Sequence, residues 1–393
     1  MSLISMLGYG IYLTAGVLYF TRVLHLPPVE AGAGLSIAAG ISLLAGIPVG
    51  HLADRHGTRG VYAVTLIIGA VAMGGLCLAH GFWTFLPFAC LGSIAQSTGP
   101  AARGPLVQQF GGDRPAEFRS TLRAVSNVGM AAGALVAAWA IEANTRDAYV
   151  LLIAGSAVSY AASTAVVMFL PSVPSRPSSS GPRWVALRDR PYLLVTVLDG
   201  VMAIQYRVLT AAVPLWLVSR TSAPRWSISG VMVLNTAIVV FFQVRASRSI
   251  DTPQAGGAAF RRAGFAFLIS CVTISLLGGL SPWVVLALLV VVVIVHTVGE
   301  IWHAAGGFEL SFSLAPENEV GQYQGLFGMG LGLGVTAGPA LLIALCIGWG
   351  VVGWWIAGVM FALTGLAVPA AARWAEHARP PHASSLGLAE VAP

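Results

Sequence analysis

Twelve apolar runs of about twenty residues follow one another from Ser2 to Arg373. A helix of that length spans the ~30 Å hydrocarbon core of a bilayer, and in lipid it satisfies its own backbone hydrogen bonds. Breaker and charged residues between the runs predict helices over 2–24, 29–53, 60–79, 82–109, 118–142, 147–170, 191–219, 226–246, 260–280, 282–311, 322–347 and 349–373. The predicted fold class is an all-α membrane protein with twelve transmembrane helices in two pseudo-symmetric six-helix bundles. With 56% hydrophobic and 9% charged residues, the composition excludes an ordinary soluble domain.

The longest polar interruption is 171–190, whose Pro, Ser and Arg content reads as a cytoplasmic linker. It separates an N-terminal bundle, 1–170, from a C-terminal bundle, 191–374, and the polar end, 375–393, reads as a disordered cytoplasmic tail. With both termini cytoplasmic, fourteen arginines fall in inner segments against four in outer ones, which sets the orientation. In that count Arg119 belongs to an inner segment, while Arg103, Arg123 and Arg207 remain within spans. Four cysteines lie in spans without paired or metal-ligating spacing, so no disulfide framework, metal site or cofactor is expected.

An internal repeat accompanies the division. Sliding the chain by 205 positions lays 113–137 over 318–342 and pairs Phe118 with Tyr323, Gly129 with Gly334 and Gly133 with Gly338.

Ionisable groups inside spans carry the functional signal, because a charge at mid-bilayer costs at least ~2.5–3.5 kcal/mol unless it finds water or a partner. Asp199 lies in the seventh run; Arg207 is turned about 80° from it, so its partners are expected on another helix. In "HTVGEIWH" of the tenth run, His296, Glu300 and His303 share one helical stripe, expected to face a solvated path. Glu300 is the favoured proton-exchanging carboxylate, with Asp199 as the other candidate. For the two histidines, hydrogen-bonded packing and proton relay both stand. Gln96, Gln205, Asn235, Tyr206 and Arg207 offer contacts to a solute or to neighbouring helices, and Tyr12, Tyr19, Trp302 and Phe308 add aromatic surface. Trp216 is expected in the interfacial belt.

The segment "GHLADRHGTRG", 50–60, lies between the second and third runs. Its Gly50, Asp54, Arg55, Gly57 and Arg59 resemble the signature of the major facilitator superfamily at that place. The resemblance implies a gate at the cytoplasmic end: Gly50 permits close helix approach, Gly57 a tight turn, and Asp54 pairs with an arginine or a helix N-terminus across the bundle interface. Gly334, Gly338 and Pro339 resemble the superfamily's antiporter signature, displaced to the eleventh run. The fifth run keeps Gly129 and Gly133 without the proline, and helix packing accounts for these residues equally well. Arg103 is placed like the fourth-helix arginine that drug/proton antiporters use in proton transfer; a snorkelling arginine is the other reading. The loop "FSLAPENEVGQYQGLFG", 312–328, resembles that of bacterial drug and natural-product exporters.

The resemblance implies a multi-pass protein of the bacterial cytoplasmic membrane, not an enzyme, acting as a monomer on protons and a small molecule, without nucleic acid. The expected function is export of a hydrophobic or amphipathic drug or natural product by proton antiport with alternating access. Helices one, four, seven and ten line the cavity in this superfamily, and aromatic walls with few charges suggest bulky amphipathic or cationic solutes. A proton-coupled importer, a lipid flippase and, in another class, a non-transporting sensor or scaffold are the alternatives.

Overall fold

The computed structural model describes all residues except 113, 144, 172–184, 225 and 379–393. Six long helices form the first half: α1 Ser2–Arg22, α2 Pro28–His56, α3 Thr58–Cys77, α4 Phe82–Gly111, α5 Pro115–Ala143 and α6 Arg146–Met168. Six more form the second: α7 Arg190–Arg220, α8 Ser227–Ser247, α9 Pro253–Ser275, α10 Pro282–Ser313, α11 Val320–Gly348 and α12 Val351–His377. Among the described residues, eleven of these helices are long and apolar enough to cross a membrane; α4 is diluted by Gln96, Arg103 and three prolines. The protein is a multi-pass membrane protein.

The two halves repeat one packing scheme. In the first, α1 packs on α5 and α6, α3 on α4 and α6, and α2 on α4; in the second, α7 packs on α11 and α12, α9 on α10 and α12, and α8 on α10. Small residues permit the corresponding close crossings. A Cβ at Gly133 would lie 2.1 Å from the Leu7 carbonyl, joining α5 to α1, and one at Gly334 would lie 1.9 Å from the Gly200 carbonyl, joining α11 to α7. Such backbone contact gains dispersion energy where lipid supplies no hydrophobic drive.

Among the described residues the halves meet chiefly through four helix pairs: α2 with α11, α5 with α8, α4 with α11 and α5 with α10. The α2–α11 seam runs over Gly46, Gly50, Gly321 and Gly325, and a Cβ at Gly50 would sit 2.0 Å from the Gly321 carbonyl. This seam lies at the end of the molecule that also carries Arg55, Arg59, Arg114, Arg245, Arg248, Arg261 and Arg262, here called the basic end.

Several local expectations change. The 50–60 segment is helical except at Gly57, whose φ of 90° is the one left-handed link between α2 and α3. Helix α9 starts seven residues before the predicted 260: the Thr252 side chain caps the Ala255 N–H and Pro253 fits the first turn. Gly256 and Gly257, which look like breakers, instead allow α10 and α12 to approach. Residues 375–377 belong to α12 rather than to the tail, of which 379–393 lie outside the described residues. Within 171–190, residues 172–184 also lie outside them, and Val185–Arg188 is one helical turn.

The seventh run is not one regular helix. It tightens to a 3-10 turn at Ile204–Arg207 and widens to a π-turn at Val208–Ala212 before Pro214, whose ring and missing N–H break the regular ladder. Trp216 is not in the lipid interface. It is buried in the second-half core, edge-on to Trp354 at 5.9 Å.

Candidate functional site

The polar stripe of α10 divides between two networks. At about 100° per residue, Glu300 points some 40° from His296 and 60° from His303, enough to send it toward a different neighbour. The histidines turn toward α7 and α9, and Glu300 toward α5 and α8. The stripe is not a solvated wall: His296 and His303 are each 1% exposed and Glu300 9%.

In the first network, His303 Nε2 lies 3.0 Å from Asp199 Oδ1, and its Nδ1 lies 3.4 Å from Gln205 Nε2. Gln205 Oε1 is 3.1 Å from His296 Nε2, whose ring Nδ1 is 3.2 Å from Ser270 Oγ. One assignment satisfies these links. The Ser270 hydroxyl donates to His296, His296 to Gln205, Gln205 to His303, and His303 to Asp199 Oδ1. Gly307 makes room for it, since a Cβ there would lie 3.2 Å from the Asp199 carboxylate. Asp199 thus finds its partner on another helix, and Arg207 turns away to α11.

The second network crosses between the halves. Arg123 on α5 donates from Nη2 to Glu300 Oε1 at 2.8 Å and from Nη1 to the Tyr206 hydroxyl at 3.0 Å. Asn235 on α8 donates to Glu300 Oε2 at 2.9 Å and to Thr297 Oγ1 at 3.0 Å. Both Glu300 oxygens are therefore occupied by charge-assisted or amide donors. Removing either member of such a buried pair typically costs about 3–5 kcal/mol, because the other charge is left uncompensated.

One cavity adjoins this network through Arg123, and a second adjoins the first. The first, of about 190 Å³, is bounded by Arg103, Arg119, Arg123, Gln96, Tyr160 and Phe308, among others. The other, of about 430 Å³, lies between α1, α2 and α4 against Tyr9, Tyr12, Phe20, Ser97 and Arg207. Gln96 and Tyr160 line both and hydrogen-bond at 3.3 Å.

The predicted cavity residues separate accordingly. Tyr12, Gln96, Arg207 and Phe308 line a cavity, as does Arg103 of the predicted coupling group. Tyr206, Gln205 and Asn235 are held within the two networks. Tyr19 is core: its hydroxyl donates to the Leu76 carbonyl at 2.8 Å. Trp302 packs on Ile250 and Ala305. Arg119, counted by sequence among the inner-segment arginines at the start of the fifth helix, stands inside α5, hydrogen-bonds Gln324, and lies over Phe308 at 5.0 Å and Phe312 at 5.3 Å. Its signal in the sequence was the one-turn spacing to Arg123 and its alignment with Gln324 in the repeat. Ser270 gave no such signal.

The sequence model described as Major Facilitator Superfamily matches residues 1–301, more than half of the chain. The chain belongs to that superfamily. It is a transporter and not an enzyme. A sugar efflux transporter A from Dickeya chrysanthemi is 34% identical over 85 residues, which spans 22% of each protein. Among solved structures, a bacterial homologue of the iron transporter ferroportin in an outward-facing state superposes with TM-score 0.70 at 13% identity, covering 96% of this chain and 97% of that one. The human organic anion transporter MFSD10 gives TM-score 0.67 at 14% identity over 93% and 96%. The E. coli fucose:proton symporter gives 0.70 at 12% over 95% and 96%. At such low identities these superpositions show the shared fold alone.

The superfamily segment at 50–60 lies at the basic end. Asp54 accepts the backbone N–H of Gly321 at 2.8 Å and of Gln322 at 2.9 Å, so its carboxylate sits on the N-terminus of α11 across the seam. Beside it, outside the span, burial raises the Glu319 carboxyl above the ordinary carboxylate range. Arg59 donates to the Leu170 carbonyl at 2.9 Å, while Nε of Arg55 is buried with no partner among the described residues. Gly338 accommodates the Arg207 side chain, and Pro339 lies inside α11. Gly129 and Gly133 receive the α1 backbone.

Proposed function

We propose that this transporter exports an amphipathic small molecule in exchange for protons, with Glu300 as the coupling carboxylate. The observation that carries this reading is the 2.8 Å Arg123–Glu300 ion pair, which ties α5 of one half to α10 of the other beside the arginine cavity. Protonating Glu300 removes the charge from that tie; the state in which the halves meet at this end is then disfavoured. Asp199 and His303 are the weaker candidates, because both lie in the second half and their pairing does not join it to the first.

The arginine bias makes the basic end cytoplasmic, with both termini on that side. The conformation is then the outward-facing one, and residues 1–170 and 191–374 are the bodies that rock about the site in a single chain. An external proton taken up by Glu300 would open the basic end; release of that proton inside would remake the tie and return the protein to the outward-facing state with solute bound. Export is favoured by the 85-residue likeness to a sugar efflux transporter and by the resemblance of 312–328 to exporter loops. A bacterial cytoplasmic membrane fits the same resemblance.

The test is Glu300→Gln in proteoliposomes carrying a pH gradient. The variant is expected to keep solute exchange and lose solute-driven proton movement. Proton movement equal to the unaltered protein would remove Glu300 from the coupling role, and solute accumulation down an inward proton gradient would replace export with import.

A further inference from the structure

Three arginines line the 190 Å³ cavity, and one carboxylate in contact with them answers their charge. Arg123 has Glu300. Arg119 has the neutral Gln324 and two aromatic faces, and Arg103 has no carboxylate partner among the described residues. Arg119 and Arg123 stand one turn apart on α5, where like charges repel; the charge of Arg103 bears on Arg119 as well, and Asp199, which does not contact the cluster, opposes it only from a distance. A cluster of this kind within a membrane span is stabilised by an anion that bridges it. Phe308 lies under both guanidinium groups, 5.0 Å from that of Arg119 and 5.9 Å from that of Arg123, and each guanidinium has five N–H donors, more than these contacts use.

We propose that this cavity receives the anionic head, a carboxylate or sulfonate, of an amphipathic organic solute, held by Arg103 and Arg119. The uncharged body of that solute lies in the adjoining 430 Å³ cavity, against Tyr9, Tyr12 and Phe20. Together the two spaces fall within the ~300–1,000 Å³ range of small-molecule sites. The amphipathic character expected from the sequence is kept, and its favoured charge becomes negative. The proposal deepens the transport reading above and rests on it for the use of the cavity, but not for direction or proton coupling.

The test compares three ligands with one aromatic body on the full chain in nanodiscs: 1-naphthoate, 1-naphthamide and 1-naphthylmethylamine. The carboxylate is expected to bind about tenfold or more tightly than the amide, and the amine most weakly. Arg103→Gln and Arg119→Gln should each bring naphthoate to within about threefold of the amide, while Arg103→Lys keeps most of the preference. Equal binding of acid and amide, preference for the amine, no binding of any ligand up to about 5 mM, or a carboxylate preference that survives both Gln variants would overturn the proposal. Because the unaltered protein gives the head-group comparison, a variant that fails to fold leaves the decision intact. Binding is read without a gradient, so loss of the Glu300 coupling reading leaves this result standing, and the reverse also holds.

Discussion

Arg119 on α5 and Gln324 on α11 stand 205 residues apart, occupy equivalent places in the two halves, and hydrogen-bond side chain to side chain. A residue that touches its own repeat equivalent lies on the pseudo-two-fold axis. That axis therefore passes beside the arginine cavity, and other contacts between the halves occur as related pairs with different chemistry. Where Asp54 meets the N-terminus of α11 on the α2–α11 seam, the related α5–α8 seam has Arg248 meeting Glu117 at 2.9 Å.

The two related contacts differ in strength. Asp54 is part-buried on two backbone amides, a setting worth up to ~2 kcal/mol, whereas exposed ion pairs such as Arg248–Glu117 are worth about 0–1 kcal/mol. In a cysteine-free background, Ser120→Cys with Ser247→Cys reports closure of the basic end, because these two hydroxyls touch. Asp54→Asn is expected to lower cross-linking several-fold, and Arg248→Gln to leave it within about twofold. Equal effects would show that Asp54 has no special part in closure.

Gly50 and Gly334 are equally tight but lie at different kinds of joint. An added methyl meets the Gly321 carbonyl at 2.0 Å in the first case, across the halves, and the Gly200 carbonyl at 1.9 Å in the second, within one half. Gly50→Ala is expected to open the basic end and raise labelling of a cysteine at Ser120, with little change in melting temperature. Gly334→Ala should instead destabilise the second half by about 1–3 kcal/mol, seen as a lower melting temperature. The reverse assignment of the two phenotypes would contradict the division into moving and fixed joints.

The fold was legible because bilayer-length apolar runs leave one solution, and the basic and acidic residues within them marked the candidate site. Glu300, Asp199 and the two histidines stand out for that reason: buried ionisable groups are conspicuous against Val and Leu. Their grouping was not legible. A helical wheel put His296, Glu300 and His303 on one stripe, and only the neighbouring helices decide that Glu300 turns to Arg123 and the histidines to Gln205 and Asp199. Arg119 was hidden by its place four residues into a helix, where a loop arginine reads the same.

Arg207 has a structural explanation that begins with a proline. Pro339 has no N–H, so the carbonyl of Val335, one turn earlier, loses its helical donor; Arg207 Nε supplies one at 3.0 Å. Arg207→Met is expected to destabilise the protein by about 1–3 kcal/mol in thermal denaturation. In a Pro339→Ala background, where the helix can supply its own donor, the same substitution should cost clearly less. Additive losses in that double-mutant cycle would break the link between the two residues.

Gln205 separates the two polar networks by experiment. It is fully buried and links His296 to His303, so Gln205→Leu leaves His303 Nδ1 without a partner and His296 Nε2 with only the backbone carbonyl of residue 205 at 3.3 Å, at about 1–3 kcal/mol for the orphaned group. Glu300 and Arg123 make no hydrogen bond to it, and their 2.8 Å contact does not depend on it. A lower melting temperature with an unchanged number of protons moved per solute is the expected result in proteoliposomes. If stability is normal, the buried chain is not the scaffold described here. If coupling fails while Glu300→Gln retains it, the proton site moves to Asp199 and His303, and Arg123–Glu300 becomes the structural member.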